Sequence, residues 1–430
     1  MKKKHTKKIL IGLLTSVLGV SLVGCGTSMT MGNGTSSGSA ASSLLKGSNV
    51  VTEGTNKDLE EIQETIDKYF YFDSDDQAMQ DGIIKGYMES LDDPYSVYYT
   101  QEEYADFMES TGGEYVGVGV QVSQNADTKK ITVVKVFDGP AKKAGLEEED
   151  VLTKVNGEDI TEMDVDTVVD KIRGEEGTTI KITVYRSSDK EEHEYEMQRQ
   201  KVENPTVEYK MLDNNIGYIS VSSFYEVTAD QYIAAVKDLD SQGMEGLIVD
   251  IRSNGGGLLD IAVEMLDYML PAGKIVYTED KDGNVTSEYN STDDEKFEKP
   301  LVVLVNGYSA SASEIFAGAI KDYGTGTLVG TKTFGKGIVQ RVFELKDGSA
   351  IKLTIAKYFT PKGNDIHKVG IEPDIEVEFD ADAYKESDGE DDNQLQAGID
   401  EIMRQLGKTS ADAKTTTESD ANDTTTSSEN

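Results

Sequence analysis

Leu301-Val302-Val303-Leu304-Val305-Asn306-Gly307-Tyr308-Ser309-Ala310-Ser311-Ala312-Ser313-Glu314-Ile315 joins a continuous apolar run to a serine-rich turn and then to a helical pattern reaching about Tyr323. An apolar run without polar alternation reads as a strand buried on both faces, which occurs where helices cover a mostly parallel sheet. The surrounding chain repeats this unit. Ile216 to Val221 is a strand, Thr228 starts a helix to about Ser241, and Leu247-Ile248-Val249-Asp250-Ile251 is another buried strand. Asn254-Gly255-Gly256-Gly257 then turns into a helix with apolar Leu258, Ile261, Ala262, Met265 and Leu266, and Thr327 to Gly330 adds a short strand. Residues 205–380 therefore form an α/β domain. Within it, the charged stretch from Glu279 to Glu298, with Asp282-Gly283 near its start, reads as a solvated hairpin.

The serine turn places hydroxyls at the start of a helix, where first-turn amides favour developing negative charge. Ser311-Ala312-Ser313-Glu314 also fits a capping box, and local sequence alone favours the cap. Ser309 and Ser313 are equally open as candidates. A second stretch, Thr333-Phe334-Gly335-Lys336-Gly337 followed by Gln340, supplies an amine between two glycines and an amide four residues on. An amine can activate a serine if it is neutral, which requires burial to lower its pKa by roughly two to four units. Gln340 could accept a hydrogen bond from that amine if the chain is helical or bends there, whereas a solvated surface position is the common fate of a lysine. The chain has three histidines: His5, His193 in a charged run, and His367 in Asn364-Asp365-Ile366-His367. Of these, His367 stays open as the base of a Ser/His/Asp alternative.

At 430 residues, two to three domains are expected. Lysines at 2, 3, 4, 7 and 8 precede an apolar run from Ile9 to Gly24 and then Cys25, which is the pattern of a secretory signal over residues 1–24. Leu22-Val23-Gly24-Cys25 resembles a bacterial lipobox, which implies lipidation of Cys25 and anchoring at the extracytoplasmic face of a bacterial cell membrane. With Cys25 as the only cysteine, no intrachain disulfide can form. Loss of the five leader lysines takes the formal charge from −38 to −43, which argues against nucleic acid as a partner. Residues 25–56 read as a flexible Ser/Gly-rich stalk. Residues 57–111 form a helical segment, with apolar positions at Ile62, Ile66 and Tyr69 and then at Met79, Ile83, Tyr87 and Leu91, broken by Leu91-Asp92-Asp93-Pro94-Tyr95-Ser96. These helices could pack on the rest of the chain or pair with a second copy. Residues 381–407 form an acidic, partly helical segment, and residues 408–430 a disordered Thr/Ser/Asp/Asn tail.

From Glu114 the period changes to two, with Val116, Val118, Val120 and Val122 alternating with small or polar residues. Ile131 to Val136 is a second strand, Pro140 to Gly145 a short helix, Asp150 to Gly157 a strand ending in an Asn-Gly turn, Val165 to Ile172 a helix, and Thr179 to Tyr185 a further strand. This order, with Gly117-Val118-Gly119-Val120, then Ala141-Lys142-Lys143-Ala144-Gly145-Leu146, then Asp150-Val151-Leu152, resembles a PDZ domain over residues 112–200. It departs from that pattern where a glycine often precedes the aspartate, here Glu147-Glu148-Glu149-Asp150. The resemblance implies that Gly117, Val118, Gly119 and Val120 form a loop whose amides receive a peptide carboxylate, the peptide adding as a strand. Read from the residues alone, Gly117 and Gly119 could mark only a bulge.

Ser-Ala-Ser-Ala-Ser-Glu-Ile, Thr-Phe-Gly-Lys-Gly and the glutamine four after the lysine resemble the signature of the carboxyl-terminal processing proteases over about residues 57–380. The resemblance implies a ClpP/crotonase-like catalytic domain with an inserted PDZ domain and an N-terminal helical segment, and serine endopeptidase activity without a cofactor or metal. It assigns Ser311 as nucleophile, Lys336 as base and Gln340 as its orienting partner. Asp250-Ile251-Arg252-Ser253-Asn254-Gly255-Gly256-Gly257 resembles the family's oxyanion-hole stretch, with Gly255 where proline is usual, and implies Gly256 or Gly257 together with Ala312 as donors. It further implies protein substrates with exposed, apolar C-termini, and gating through Arg173 at the end of the PDZ helix; an ion pair of Arg173 with nearby acids is the plainer alternative. Rival functions are a lipid-anchored PDZ scaffold without catalysis and a crotonase-like enzyme acting on small acyl compounds. Homo-oligomerisation is left open.

Overall fold

The computed structural model describes residues 50–126, 128–292 and 296–408. The leader, Cys25, most of the stalk and nearly all of the tail lie outside these residues.

The strand–turn–helix units assemble as their apolar runs predict. A six-stranded sheet takes, in spatial order, Val207–Leu212, Ile216–Val221, Gly246–Asp250, Leu301–Val305, Thr327–Gly330 and Ile375–Glu376, parallel throughout except for the first pair. Val249 pairs with Val303 and Val303 with Leu328 at the centre, all fully buried. Helices Thr228–Ser241, Leu259–Asp267 and Ala312–Tyr323 share one core with this sheet. The opposite face is covered by Asn393–Gln405, whose Ile402 and Met403 pack with Ile248, Val302, Leu304 and Val329. The segment 381–407, read from sequence as separate from the α/β domain, thus closes that domain's second face. An unclosed face would leave buried-type strands in water.

A second sheet, of Val97–Tyr99, Ala350–Phe359, Gly273–Glu279 and Val285–Ser291, with Ile338–Glu344 also on Ala350–Phe359, rises beside the first. Its Gly273–Glu279 and Val285–Ser291 strands form a hairpin that starts before the stretch Glu279 to Glu298 read as one and ends within it. The N-terminal segment is only partly helical. Glu53–Tyr69 begins inside the residues read as stalk, Asp76–Glu89 follows, and Val97–Tyr99 pairs with Ala350–Phe359 before Gln101–Gly112. Three residues after a proline carry too little pattern to be read as a strand; the partner strand makes them one. Among the described residues, the first helix buries no side chain, and Ile62, Tyr69, Ile83 and Tyr87 of the first two stay exposed.

The middle segment is inserted through a two-stranded ribbon, Glu114–Gly117 against Gln200–Glu203, so that entry and exit lie side by side. It has its own core around Ile131, Leu152, Ile180, Ile182 and Val184. The alternating valines do not make one strand: pairing stops after Gly117, Val118 turns into the core, Gly119 takes φ +82°, and Val120–Gln124 resumes in the inserted sheet. Where a glycine precedes the family's aspartate, Glu149 itself takes a left-handed φ of +71°. Asp150 is buried behind it, bound by both ends of the Arg186 guanidinium at 2.7 and 2.8 Å.

Ile402→Ala should lower stability by about 3 kcal/mol, as expected for emptying a fully buried aliphatic site. Urea unfolding of the α/β-domain transition measures this; a change within error would show the last helix to be dispensable to the core.

Candidate active site

Parallel strands Gly246–Asp250 and Leu301–Val305 end side by side, and the glycine loop and serine turn leave their carboxyl edges, where open α/β sheets bind ligands. Ser311 immediately precedes the helix Ala312–Tyr323 with φ 58° and ψ −115°, a strained conformation for a side chain with a Cβ. The three serines then separate. The Ser309 hydroxyl donates to Ile251 O at 2.8 Å and accepts from Asn306 N, and Ser313 Oγ donates to Asn254 O at 2.8 Å. Ser311 Oγ, also buried, has no hydrogen-bond partner. Ser311 and Glu314 are disposed as a capping box, but the hydroxyl makes no bond and the Glu314 N–H binds Ser311 O at 2.8 Å.

The carboxylate of Glu314 does more than cap. Fully buried, it accepts from Ser311 N at 3.0 Å, Thr333 Oγ1 at 2.6 Å, Gly335 N at 2.7 Å and Lys336 N at 2.8 Å, tying the serine turn to the lysine loop. Tyr358 spans the same gap from Ala350–Phe359: its hydroxyl lies 3.0 Å from Ser311 O and also contacts Lys336 O. Neither residue was assigned this role from sequence. The signal for Tyr358 is the period-two burial of Lys352, Ala356 and Tyr358, which a strand pattern could have revealed.

Lys336 is 4% exposed, and burial together with the nearby Lys352 ammonium pushes its pKa down to about 8. Its Nζ stands 4.4 Å from the centre of the Tyr95 ring, contributed by the segment read only as a helix break. The amine and the Ser311 hydroxyl are close in the fold but not hydrogen-bonded in this conformation. Gln340 is buried on Ile338–Glu344, just after a register shift that bends the strand between Val339 and Gln340. Its Nε2 reaches Thr354 Oγ1 at 3.3 Å and Ile338 O at 3.4 Å, while its Oε1 has no partner; the expected bond from the lysine is not made here. His367 packs its backbone beside Gly337, and its ring binds neither Ser311 nor a carboxylate, so the alternative relay is not assembled. His193 pairs with Asp189 on the inserted domain.

In the glycine loop, Gly256 and Gly257 take φ of 106° and 150°, whereas Gly255, where proline is usual, does not take a positive φ. A Cβ on Gly256 would lie 2.8 Å from Ser311 Cβ, and one on Gly257 would lie 2.2 Å from Phe224 O. The Gly256 N–H is already bound to Asn254 Oδ1 at 2.8 Å. Among the described residues, the N–H groups of Gly257 and Ala312 donate to no protein group. On the back of this loop, Arg252 binds Asp250 and also reaches Asp392 and Gln394 of the C-terminal segment, with Arg252–Asp392 contacts of 2.7 and 3.0 Å.

The inserted domain carries a groove of about 770 Å³ between Val120–Gln124 and Val165–Ile172, with Gly117, Val118 and Gly119 at its end. The carbonyls of Val118 and Gly119 are held by Ala141 N and Phe137 N, and their N–H groups have no protein partner among the described residues. Arg173 closes the helix end of the groove; among the described residues it makes no ion pair but stands over the Tyr115 ring at 5.8 Å. No cluster of ligands suited to a metal occurs among the described residues.

Residues 215–377 match Peptidase family S41, residues 106–185 the PDZ domain, and residues 22–103 the activating protease CtpB N-terminal domain. The carboxy-terminal processing protease CtpA of Bacillus subtilis is 37% identical over 88% of this chain and 78% of its own length. A probable CtpA-like serine protease of Staphylococcus haemolyticus is 38% identical over 75% of this chain, which spans 64% of that relative. Among solved structures, the photosystem II D1 C-terminal processing protease is 31% identical, covering 74% of this chain and 86% of its own, with a TM-score of 0.45. The matches define the class as S41 peptidases with an inserted PDZ domain. Within it, the chain belongs to the carboxy-terminal processing protease family.

Replacing Glu314 by Gln puts an amide among four donors. It should cost about 2 kcal/mol in stability, since buried donors lose acceptors, and roughly a hundredfold in turnover, as displaced reacting groups do. Thermal unfolding and steady-state kinetics would show both losses; an unchanged kcat would mean that the carboxylate does not hold the site.

Proposed function

We propose that the protein is a serine endopeptidase that cleaves extracytoplasmic proteins after capturing their C-terminal tails. The observation that carries this reading is the free, buried hydroxyl of strained Ser311 at a helix start, beside a buried lysine of lowered proton affinity, while both neighbouring serines are bound elsewhere. In the reaction, Lys336 Nζ in its neutral form takes the Ser311 proton as Oγ bonds to the scissile carbonyl carbon. The resulting oxyanion is met by the N–H groups of Gly257 and Ala312. The Lys336 ammonium returns the proton to the departing amine as the C–N bond breaks, leaving an ester. Water then gives a proton to Lys336 and attacks that ester, and Ser311 recovers its hydrogen. Gln340 Oε1, unpartnered beside this site, orients the amine once the lysine swings from Tyr95 toward the serine.

The tail is received at Val118 and Gly119, whose N–H groups suit a carboxylate, with its last residues added along Val120–Gln124. Arg173, at the groove's end, is placed to report occupancy to the ribbon through Tyr115. Lipidation at Cys25 would hold the enzyme on the outer face of the cell membrane; Cys25→Ser should move the protein from the membrane to the soluble fraction.

Mature enzyme incubated with an unstructured protein ending in apolar residues should cleave it, while Ser311→Ala and Lys336→Ala should fall to background. Equal cleavage by all three sinks the dyad, and tight tail binding without cleavage by the unaltered chain favours a scaffold. The base works deprotonated, so kcat/KM should be low at pH 6, climb tenfold per unit, and level off above an apparent pKa near the Lys336 value of about 8. Amidation of the tail's terminal carboxylate should weaken its binding about tenfold or more by fluorescence polarisation, as loss of a charge-assisted contact does.

A further inference from the structure

Lys336 is not the only lysine inside this site. Lys352 is also 4% exposed, on the inward row of Ala350–Phe359 that carries Thr354 and Tyr358. A buried ammonium is costly unless something holds it. Lys352 Nζ lies 2.7 Å from Tyr99 Oη and over the faces of Tyr99 and Phe107, at 5.3 and 5.6 Å, these two rings being stacked 5.2 Å apart. Its strand register places it opposite Val97. The same N-terminal segment that provides this seat, from a strand and the helix after it, also provides the Tyr95 face under Lys336.

The Asp93 carboxylate raises the proton affinity of both amines. It is fixed by Tyr95 N at 3.1 Å and Ser96 Oγ at 2.6 Å; Ser96 Oγ accepts Thr354 N at 3.0 Å, and Thr354 Oγ1 accepts Gln340 Nε2. The groups acting on the Lys336 amine are therefore Asp93 and Tyr95 from the loop, Glu314 from the serine helix and Lys352 from the strand, with the Tyr358 hydroxyl on the Lys336 carbonyl. Lys352 is the one lysine among them, against two carboxylates that favour a charged Lys336. Two buried amines beside one carboxylate mirror the paired carboxyls of aspartic proteases, in which like charges cannot both persist.

We infer that Lys352 is a positioning residue for the proton: its ammonium, seated on Tyr99 and Phe107 and sharing Asp93, keeps Lys336 neutral and ready to accept from Ser311. The chemistry requires one of the two amines to keep its proton. Burial lowers Lys352 as well, to about 8; with Lys336 as the base, it is Lys352, held by a hydroxyl and two aromatic faces, that keeps the proton. The N-terminal loop thereby becomes a condition of catalysis, because undocking it removes the seat of the retained charge. This inference rests on Lys336 being the base.

The test is the pH profile of kcat/KM between pH 6 and 10.5 for the full mature chain, Lys352→Met, Lys352→Arg and Lys336→Ala, acting on an unstructured protein with an apolar C-terminus. Lys352→Met should move the rising limb up by roughly one unit, a loss of about tenfold at pH 7 that vanishes near pH 10. Lys352→Arg, which keeps the charge, should place the limb below that of the methionine variant. A limb unmoved by Lys352→Met, an equal loss at every pH, or an arginine limb as high as that of methionine overturns the inference. If Lys352→Met does not fold, Tyr99→Phe removes the hydroxyl partner and keeps the ring; an upward shift supports the inference and an unmoved limb overturns it. A Lys336→Ala enzyme as active as the unaltered chain defeats the base assignment and this inference together, whereas an inactive one beside an unmoved Lys352→Met limb defeats this inference alone.

Discussion

A single buried carboxylate organises this active site. Glu314 receives four hydrogen bonds, one from the backbone of the serine turn and three from the lysine loop, so two segments about twenty residues apart cannot move independently. Burying a carboxylate is expensive, and burial here does push its pKa up against the pull of its donors. The cost is offset only when every donor is in place, which makes the arrangement cooperative. Tyr358 repeats the connection through the carbonyls of Ser311 and Lys336. With both backbones held, the strained φ of Ser311 can persist and its hydroxyl be left unbound.

Around that tie, three regions remote in sequence close the site. The N-terminal segment sends in Asp93, Tyr95 and Tyr99, the second sheet supplies Gln340, Lys352 and Tyr358, and the C-terminal segment braces the glycine loop through Asp392 and Arg252. The domain is thus completed by pieces that look peripheral along the chain. The inserted domain differs: it folds on its own core and meets the rest through a ribbon and the Lys135–Glu208 ion pair.

Much of this was legible in the chain. Period-two and continuous apolar runs placed the α/β domain and the inserted domain, because burial on one or two faces writes itself directly into residue order. The motifs carrying Ser311, Lys336 and Gln340 were visible as a set. The three-residue strand Val97–Tyr99 was not, nor was the second helix face supplied by Asn393–Gln405, because both are defined by partners far along the chain. Gly256 and Gly257 looked interchangeable until the Asn254 side chain was seen to occupy the first one's N–H.

The amino-acid sequence by itself determined most of the strands and helices, where the PDZ domain is inserted, and which residue types could perform acyl transfer, since these depend on local pattern and short spacing. Tertiary structure set the three serines apart, in the backbone of Ser311 and in what stands opposite each hydroxyl. It also decided that Glu314 binds two loops together and that a second lysine lies buried near the first. Hydrogen-bond partners and desolvation are properties of neighbours in space, and no spacing along the chain records them.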